Sequence, residues 1–367
     1  WQIAHDLPAS LVGAGGQTEG LLSTPAVEGD RLYYVTPGAE VVCADTSGKV
    51  VWTLDMAKDL KVSPDAAVFA SPLVVGDLVY TVTGNGRDFG APDKPPPEPD
   101  APSFVAIDKK TGKVVWSDNS PGVNIMEGTW ASPAYAEING KGQVIFPGGD
   151  GWLYAFEAGK VKKLLWKFDC NPKGSEFRTD SRGTRNYLMA PAVAGNRVYT
   201  AVGQQPDNNA GVSHLWCVDA TKNGDISEEL EKGKANPGSG VVWHYGGPAP
   251  KGAPRDYIFG RSICNPVVHD GMVYAAELDG FLHCLGAATG KQYWEEDVKA
   301  QIWATPLWVD GKVYVPDDTG NVTIFEHGKE KKVVGKVEMD EGVKAAPVVA
   351  NGVLYLVTSK RLYAIGK

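Results

Sequence analysis

This 367-residue chain predicts an all-β, seven-bladed β-propeller of four-stranded antiparallel blades, and three observations carry that reading. The first is a repeated block. Pro25, Pro72, Pro133, Pro191, Pro266, Pro306 and Pro347 are each followed by a glycine and then by an aromatic or aliphatic strand residue. In six of the seven blocks that residue is a tyrosine eight positions on (Tyr33, Tyr80, Tyr199, Tyr274, Tyr314 and Tyr355); in the third it is Ile145. A strand-rich unit recurring every ~40 to 50 residues marks a propeller or solenoid. The second is the anatomy of each unit, and the third is how the two chain ends divide one unit between them.

Within the first unit the strand signals run Pro25-Ala-Val, a turn at Gly29-Asp30, Arg31 to Val35, Val41 to Ala44, a turn at Ser47-Gly48, and Lys49 to Trp52. Short alternating runs broken by glycine turns form an antiparallel meander, with strands lettered a to d. The d strand carries a tryptophan in five units, Trp52, Trp116, Trp166, Trp243 and Trp294, and in the sixth Gly335 takes its place. A large aromatic there is expected to pack one blade on the next, contributing several kcal/mol when fully buried. The seventh unit stops after its c strand, Arg361 to Ile365, while Trp1-Gln-Ile-Ala reads as a d strand alone. The N-terminal strand is therefore expected to complete the last blade and close the ring, removing exposed edges. One domain spanning 1–367 follows.

Composition narrows the function. With 11 Trp, 14 Tyr, 44 Gly and 25 Pro the chain suits many short strands and tight turns. A net charge of −8 without a Lys/Arg cluster excludes a nucleic-acid surface. No apolar run reaches the ~18 residues that span a bilayer, so membrane association would need a partner, or an anchor lost upstream of Trp1. Of the five cysteines, Cys43, Cys217 and Cys284 align with Ala106, Ala155 and Ala364, and Cys264 with Ala70, Ala131, Ala304 and Ala345. Four therefore fill small buried slots as compact hydrophobes, and Cys170 alone lacks a repeat equivalent. The six histidines (5, 214, 244, 269, 283, 327) are scattered, with no paired metal-ligand spacing. No nucleophile elbow, P-loop or dinucleotide fingerprint occurs, and Asp219 to Asp225 lacks the spacing of a calcium loop.

The second unit reads Ala106-Ile-Asp108-Lys-Lys-Thr111-Gly112-Lys113-Val-Val-Trp116, and the fifth keeps Thr289-Gly290-Lys291-Gln-Tyr-Trp294. This resembles the A-x-D-x-x-T-G-K-x-x-W tryptophan-docking pattern of the PQQ-like β-propeller repeat family, and the resemblance spans the chain. That family includes BamB-like assembly propellers and, more distantly, eight-bladed quinoprotein alcohol dehydrogenases using PQQ and calcium. The chain departs from the dehydrogenases in blade number, in lacking an adjacent cysteine pair, and in offering no matching set of calcium and catalytic carboxylates. The resemblance implies an extracytoplasmic, periplasmic location.

Loop lengths point to one face. In a meander blade the b–c and d–a connections emerge together, opposite the a–b and c–d turns. The long segments are the b–c loops 84–102 and 203–213 and the d–a loops 54–70, 117–131, 167–189 and 244–264. The exception is the charged c–d insertion 220–240 of the fourth unit. Long loops aimed by a rigid scaffold carry binding sites. On this face Arg178, Asp180, Arg182 and Arg185 lie in one loop and Arg261 in the next equivalent one. Arginine forks suit acidic partners or ligands; the other reading pairs them internally with Asp180, Glu176 and Asp256 to pin long loops. The residue three before each strand-a proline forms a second set: Leu22, Phe69, Trp130, Leu188, Ile263, Trp303 and Lys344. Trp130 and Trp303 could stack a planar ligand or pack between blades, and Lys344 breaks the apolar pattern. The proline-rich stretch 93–102 reads as an extended segment, either a docking arm or a stiff solvated loop.

The leading expectation is a non-catalytic scaffold that binds a protein partner or multi-subunit complex through the b–c/d–a face, with no metal, no catalytic residue and no cofactor. The alternatives are a PQQ- and Ca²⁺-dependent oxidoreductase, and a sensor or carbohydrate-binding module.

Overall fold

The strands assemble into seven blade sheets, each a meander in sequence order. The computed structural model describes residues 1–5, 21–64, 68–87, 94–126, 130–174, 187–203 and 211–366. Two compact units divide the chain, 1–181 with 220–240, and 182–219 with 241–367. The first holds blades one to three. In blade one, Ala26–Glu28, Arg31–Val35, Glu40–Asp45 and Val50–Asp55 pair in turn. Blade two repeats this with Leu73–Val75, Leu78–Val82, Phe104–Asp108 and Val114–Asp118, and blade three with Ala134–Ile138, Lys141–Pro147, Trp152–Glu157 and Leu164–Asp169. The second unit holds blade four (Ala192–Ala194, Arg197–Gly203, Ser213–Asp219, Val241–Gly246), blade five (Val267–His269, Met272–Ala276, Phe281–Gly286, Gln292–Asp297) and blade six (Leu307–Val309, Lys312–Pro316, Asn321–Glu326, Val333–Glu338). The seventh sheet has three strands among the described residues, Val348–Ala350, Val353–Val357 and Leu362–Ile365. Residues 1–5 form no strand, so the N-terminal pairing expected for that blade is not present among the described residues.

The spacing of proline and tyrosine acquires a physical meaning at the seams between blades. In four blades the b-strand tyrosine lies against its own blade's d-strand tryptophan, with ring centroids 6.1 Å apart for Tyr33–Trp52 and 5.9 Å for Tyr80–Trp116, Tyr199–Trp243 and Tyr274–Trp294. Together the two rings grip the c–d turn of the following blade. Trp116 Nε1 donates to the Gly159 carbonyl at 2.9 Å while the Gly159 N–H donates to the Tyr80 hydroxyl at 2.9 Å. Trp294 and Tyr274 treat Gly328 the same way, at 3.1 Å each. Trp243 and Tyr199 both donate to the Ala287 carbonyl. The indole also lies flat on the turn. A Cβ added at Gly112, where φ is +73°, would sit 2.7 Å from the Trp52 ring, and one at Gly290 (φ +67°) 2.7 Å from Trp243. The glycine of the T-G-K motif is thus fixed twice, by backbone conformation and by the indole above it. Trp1 obeys the same rule: its Nε1 donates to Thr46 O at 2.9 Å and its ring covers Gly48.

Blade three departs from this rule because the 220–240 insertion replaces a tight c–d turn. Trp166, fully buried, donates instead to Gln143 Oε1 at 2.8 Å, and Gln143 passes the contact on from Nε2 to the Ala220 carbonyl. The insertion then adds Gly224–Asp225 as a parallel strand beside Trp166 and Lys167. At the opposite edge of the blades, the residues before the prolines of blades one to six form a second seam within each unit. Thr24 N–H donates to Ser71 Oγ and Ser71 N–H to Ser132 Oγ in the first unit; Ala190 N–H donates to Asn265 Oδ1 and Asn265 N–H to Thr305 Oγ1 in the second. A backbone N–H that no strand partner reaches is in this way satisfied by the next blade.

The cysteines behave as the register implies. All five are buried free thiols, and burial pushes Cys264 and Cys284 up to about 12, far from thiolate chemistry. No helix among the described residues is long and apolar enough to cross a membrane.

Replacing Trp116 by Ala removes both the packing and the hydrogen bond to the next turn and is expected to cost about 3–5 kcal/mol. Gly335→Ala, in the one d strand without the aromatic, is expected to stay within about 0.5 kcal/mol. Urea denaturation of both variants checks this contrast; similar losses would contradict it.

Candidate functional site

The b–c/d–a edge of the second unit is organised around two acids in the tight b–c turn of blade five, one buried and one half-buried. Glu277 is fully buried, and both of its oxygens are engaged. Oε1 lies 2.6 Å from His283 Nε2, a ring that is itself fully buried in the c strand, and Oε2 accepts from Arg255 Nη2. On its other side His283 Nδ1 lies 3.1 Å from the Tyr245 hydroxyl. Arg255 also stacks on Phe281, 3.8 Å from the ring centroid. The second acid, Asp279, accepts from Arg261 Nη2 at 3.1 Å and from the Tyr257 hydroxyl at 3.1 Å.

These contacts fix the d–a loop between blades four and five. Arg255, Tyr257 and Arg261 all belong to it, and its backbone adds bridges at Pro248–Tyr257 and Val212–Gly260. Arg261 N–H donates to Gly211 O and Leu278 N–H to Arg261 O, both at 2.9 Å. Gly260 is required by the close approach, since a Cβ there would meet Glu277 Oε2 at 2.5 Å. The long loop is therefore tied to blade five by side-chain and backbone bonds along 248–261.

In the first unit the corresponding edge is built on the b–c turn of blade three. Asp150 is buried; its Oδ2 accepts from Tyr154 at 2.6 Å and its Oδ1 from the Trp152 N–H at 3.3 Å. Burial pushes its carboxyl up to about 7, against the pull of those two donors. Asn171 links its backbone to Asp169, which Lys173 pairs at 2.7 Å. The proline-rich segment is tied down among its described residues. Asn85 Nδ2 donates to Glu98 O at 2.9 Å, Arg87 Nη1 to Lys94 O at 2.8 Å and Thr83 Oγ1 to Pro102 O at 2.6 Å, while Pro96 is buried.

The sequence-derived candidates sort accordingly. Arg178, Asp180, Arg182 and Arg185 lie outside the described residues. Arg261 is buried and engages Asp279 rather than Asp256, so it positions the loop. Trp130 stacks on Phe69, with centroids 4.8 Å apart and planes at 27°. Trp303 carries the Lys344 ammonium 4.9 Å from its ring centroid and donates Nε1 to Gln301. Lys344 is exposed. Glu277, His283 and Asp150 were not singled out by sequence reasoning; the acidic residues of the b–c turns Gly148–Gly151 and Glu277–Gly280 were the available signal.

The family model for the outer membrane protein assembly factor BamB matches residues 1–241 and 234–332. This chain belongs to the BamB family. Among solved structures it is similar to BamB from Moraxella catarrhalis, at 16% identity and a TM-score of 0.63, covering 94% of this chain and 84% of that one. It is also similar to the computationally designed Ika8 protein, at 12% identity and a TM-score of 0.44, covering 97% and 99%, a likeness from which nothing is drawn. No curated protein sequence matches it. The BamB likeness carries the propeller fold. Glu277 and Asp150 are engaged by protein donors, and Asp317 Oδ1 accepts from Thr319 N, Thr319 Oγ1 and Asn321 N. No three or more His, Cys, Asp or Glu converge as a metal site among the described residues.

Two variants test these edges. Glu277→Gln leaves Arg255 without its buried counter-charge and is expected to cost about 3–5 kcal/mol. Hydrogen exchange should then rise through 247–266; an unchanged loop would contradict the assignment. Asp150 has a folded pKa above its unfolded value of 3.8, so it weakens the fold as pH rises from about 4 to about 7, and the penalty is complete above that. Asp150→Asn is expected to remove this slope, at most about 1.4 kcal/mol per pH unit. Parallel denaturation profiles for the two proteins across that window would contradict it.

Proposed function

We propose that this chain is a non-catalytic, extracytoplasmic propeller that serves protein assembly at the outer membrane, binding a protein partner through the b–c/d–a edges of its blades. The observation that carries the reading is the order of the long loops on those edges. Loop 247–266 is held by Glu277 and Asp279, and segment 94–102 is tied back by Asn85, Arg87 and Thr83. Loops fixed before binding spare the partner the entropy of ordering them, the main cost of a loop-built interface. The family description, an outer membrane protein assembly factor, supports the same reading. Phe69–Trp130 and Trp303–Lys344 offer aromatic and cationic anchors of the kind that dominate interface energies. Periplasmic location and membership of a multi-subunit complex follow from the reading.

Site-specific photo-crosslinkers at Trp130, Trp303 and Lys344 are expected to trap one protein species in cells. Crosslinkers at Gly195 and Asp310, in a–b turns, are expected to trap none. Lys344→Glu should reduce the trapped fraction several-fold without changing the melting temperature. Trapping from the a–b turns alone would overturn the reading.

A further inference from the structure

Blade four brings together two histidines that lie thirty residues apart in the sequence. Its c strand pairs His214 with Gly246 and Trp216 with His244 of the d strand, so the two imidazoles project from one face as diagonal neighbours. Gly246 has no side chain to fill the space opposite His214. The rings turn toward each other, with His214 Nδ1 2.9 Å from His244 Nε2. Trp216 is almost wholly buried and forms the floor: His244 stacks on it at 4.0 Å between centroids and 21° between planes, and His214 at 6.4 Å and 28°. That floor holds both ring planes nearly parallel to the indole. His244 is exposed, so the facing nitrogens can be approached from solvent, while His214 is partly covered.

We propose that His214 and His244 form a two-imidazole site for a divalent transition-metal ion, the remaining coordination positions being filled by water. Two nitrogens 2.9 Å apart, each about 2.0–2.1 Å from a metal, subtend about 90° at it; with the ring centroids 5.0 Å apart the facing lone pairs point at each other, so each ring would turn in its own plane to aim at the ion. A right angle is the cis bite of tetragonal Cu²⁺ or Ni²⁺, whereas tetrahedral Zn²⁺ requires the rings to spread. The order of divalent affinities also places Cu²⁺ first for nitrogen ligands. In the metal-free protein the two facing nitrogens hold one proton between them in a hydrogen bond; to bind an ion the donor ring would carry that proton on its other nitrogen, leaving both facing lone pairs free with no net loss of a proton.

The test uses the full chain and Cu²⁺ alone, followed by tryptophan fluorescence and electron paramagnetic resonance, with Ni²⁺ and Zn²⁺ in parallel titrations. The expected result is one equivalent of Cu²⁺ bound with coupling to two nitrogens, quenching of Trp216, and weaker binding of Zn²⁺. His214→Ala and His244→Ala should each weaken Cu²⁺ binding at least about tenfold. His269→Ala should leave it unchanged, although His269 also stacks on a tryptophan, Trp308. Should either alanine variant fail to fold, His244→Gln keeps the stacking surface and gives the same readout. Equal Cu²⁺ affinity in the wild type and both alanine variants, or a single-nitrogen spectrum, would overturn the site.

Discussion

The tyrosine–tryptophan grip on the next blade's c–d turn is the interaction on which the remainder of this fold depends. A four-stranded meander with apolar faces must bury them against its neighbours. Two rings from one blade and one glycine from the next supply that burial, together with hydrogen bonds that only a particular turn conformation can meet. Trp116 and Tyr80 on Gly159, and Trp294 and Tyr274 on Gly328, show the same geometry in both units. Blade three shows how much the contact is needed, because where the turn is displaced by an insertion Gln143 restores the link.

Because the grip sits at the c–d end, the other end of each blade is free to vary in length. The pre-proline hydrogen bonds from Thr24 through Ser71 to Ser132, and from Ala190 through Asn265 to Thr305, tie that end together near the a strands. The loops beyond them are then fixed by their own buried polar contacts. Glu277 and Asp279 do this for 247–266, converting what could be a solvated loop into a surface of defined shape. Buried charge used this way specifies geometry more than it adds stability.

Much of this architecture was legible in the sequence because the repeat constrains residue type at fixed positions. The proline recurs in every unit, the tyrosine eight residues on in six and the d-strand tryptophan in five, each in one role, so register alone revealed the sheets and explained Cys43, Cys217, Cys264 and Cys284. The pre-proline seam was also written there, as Thr24, Ser71, Ser132, Asn265 and Thr305, but it connects different repeats and becomes visible only when blades are placed side by side. The site residues were less legible for a related reason. His283 belongs with Glu277, and His214 with His244, through strand pairing and loop return rather than through local spacing. Arg261 was noticed for its charge, yet its role follows from Asp279, eighteen positions away in the sequence and adjacent only after the blade folds.

The claim that the rings of one blade order the turn of the next, and through it the loops beyond, is tested most directly by hydrogen–deuterium exchange on Trp243→Ala. The variant is predicted to lose protection on both sides of the seam, in Val241–Gly246 of its own blade and in the 286–291 turn it grips. Loss confined to its own strand, with the neighbouring turn as protected as in the wild type, would contradict the account.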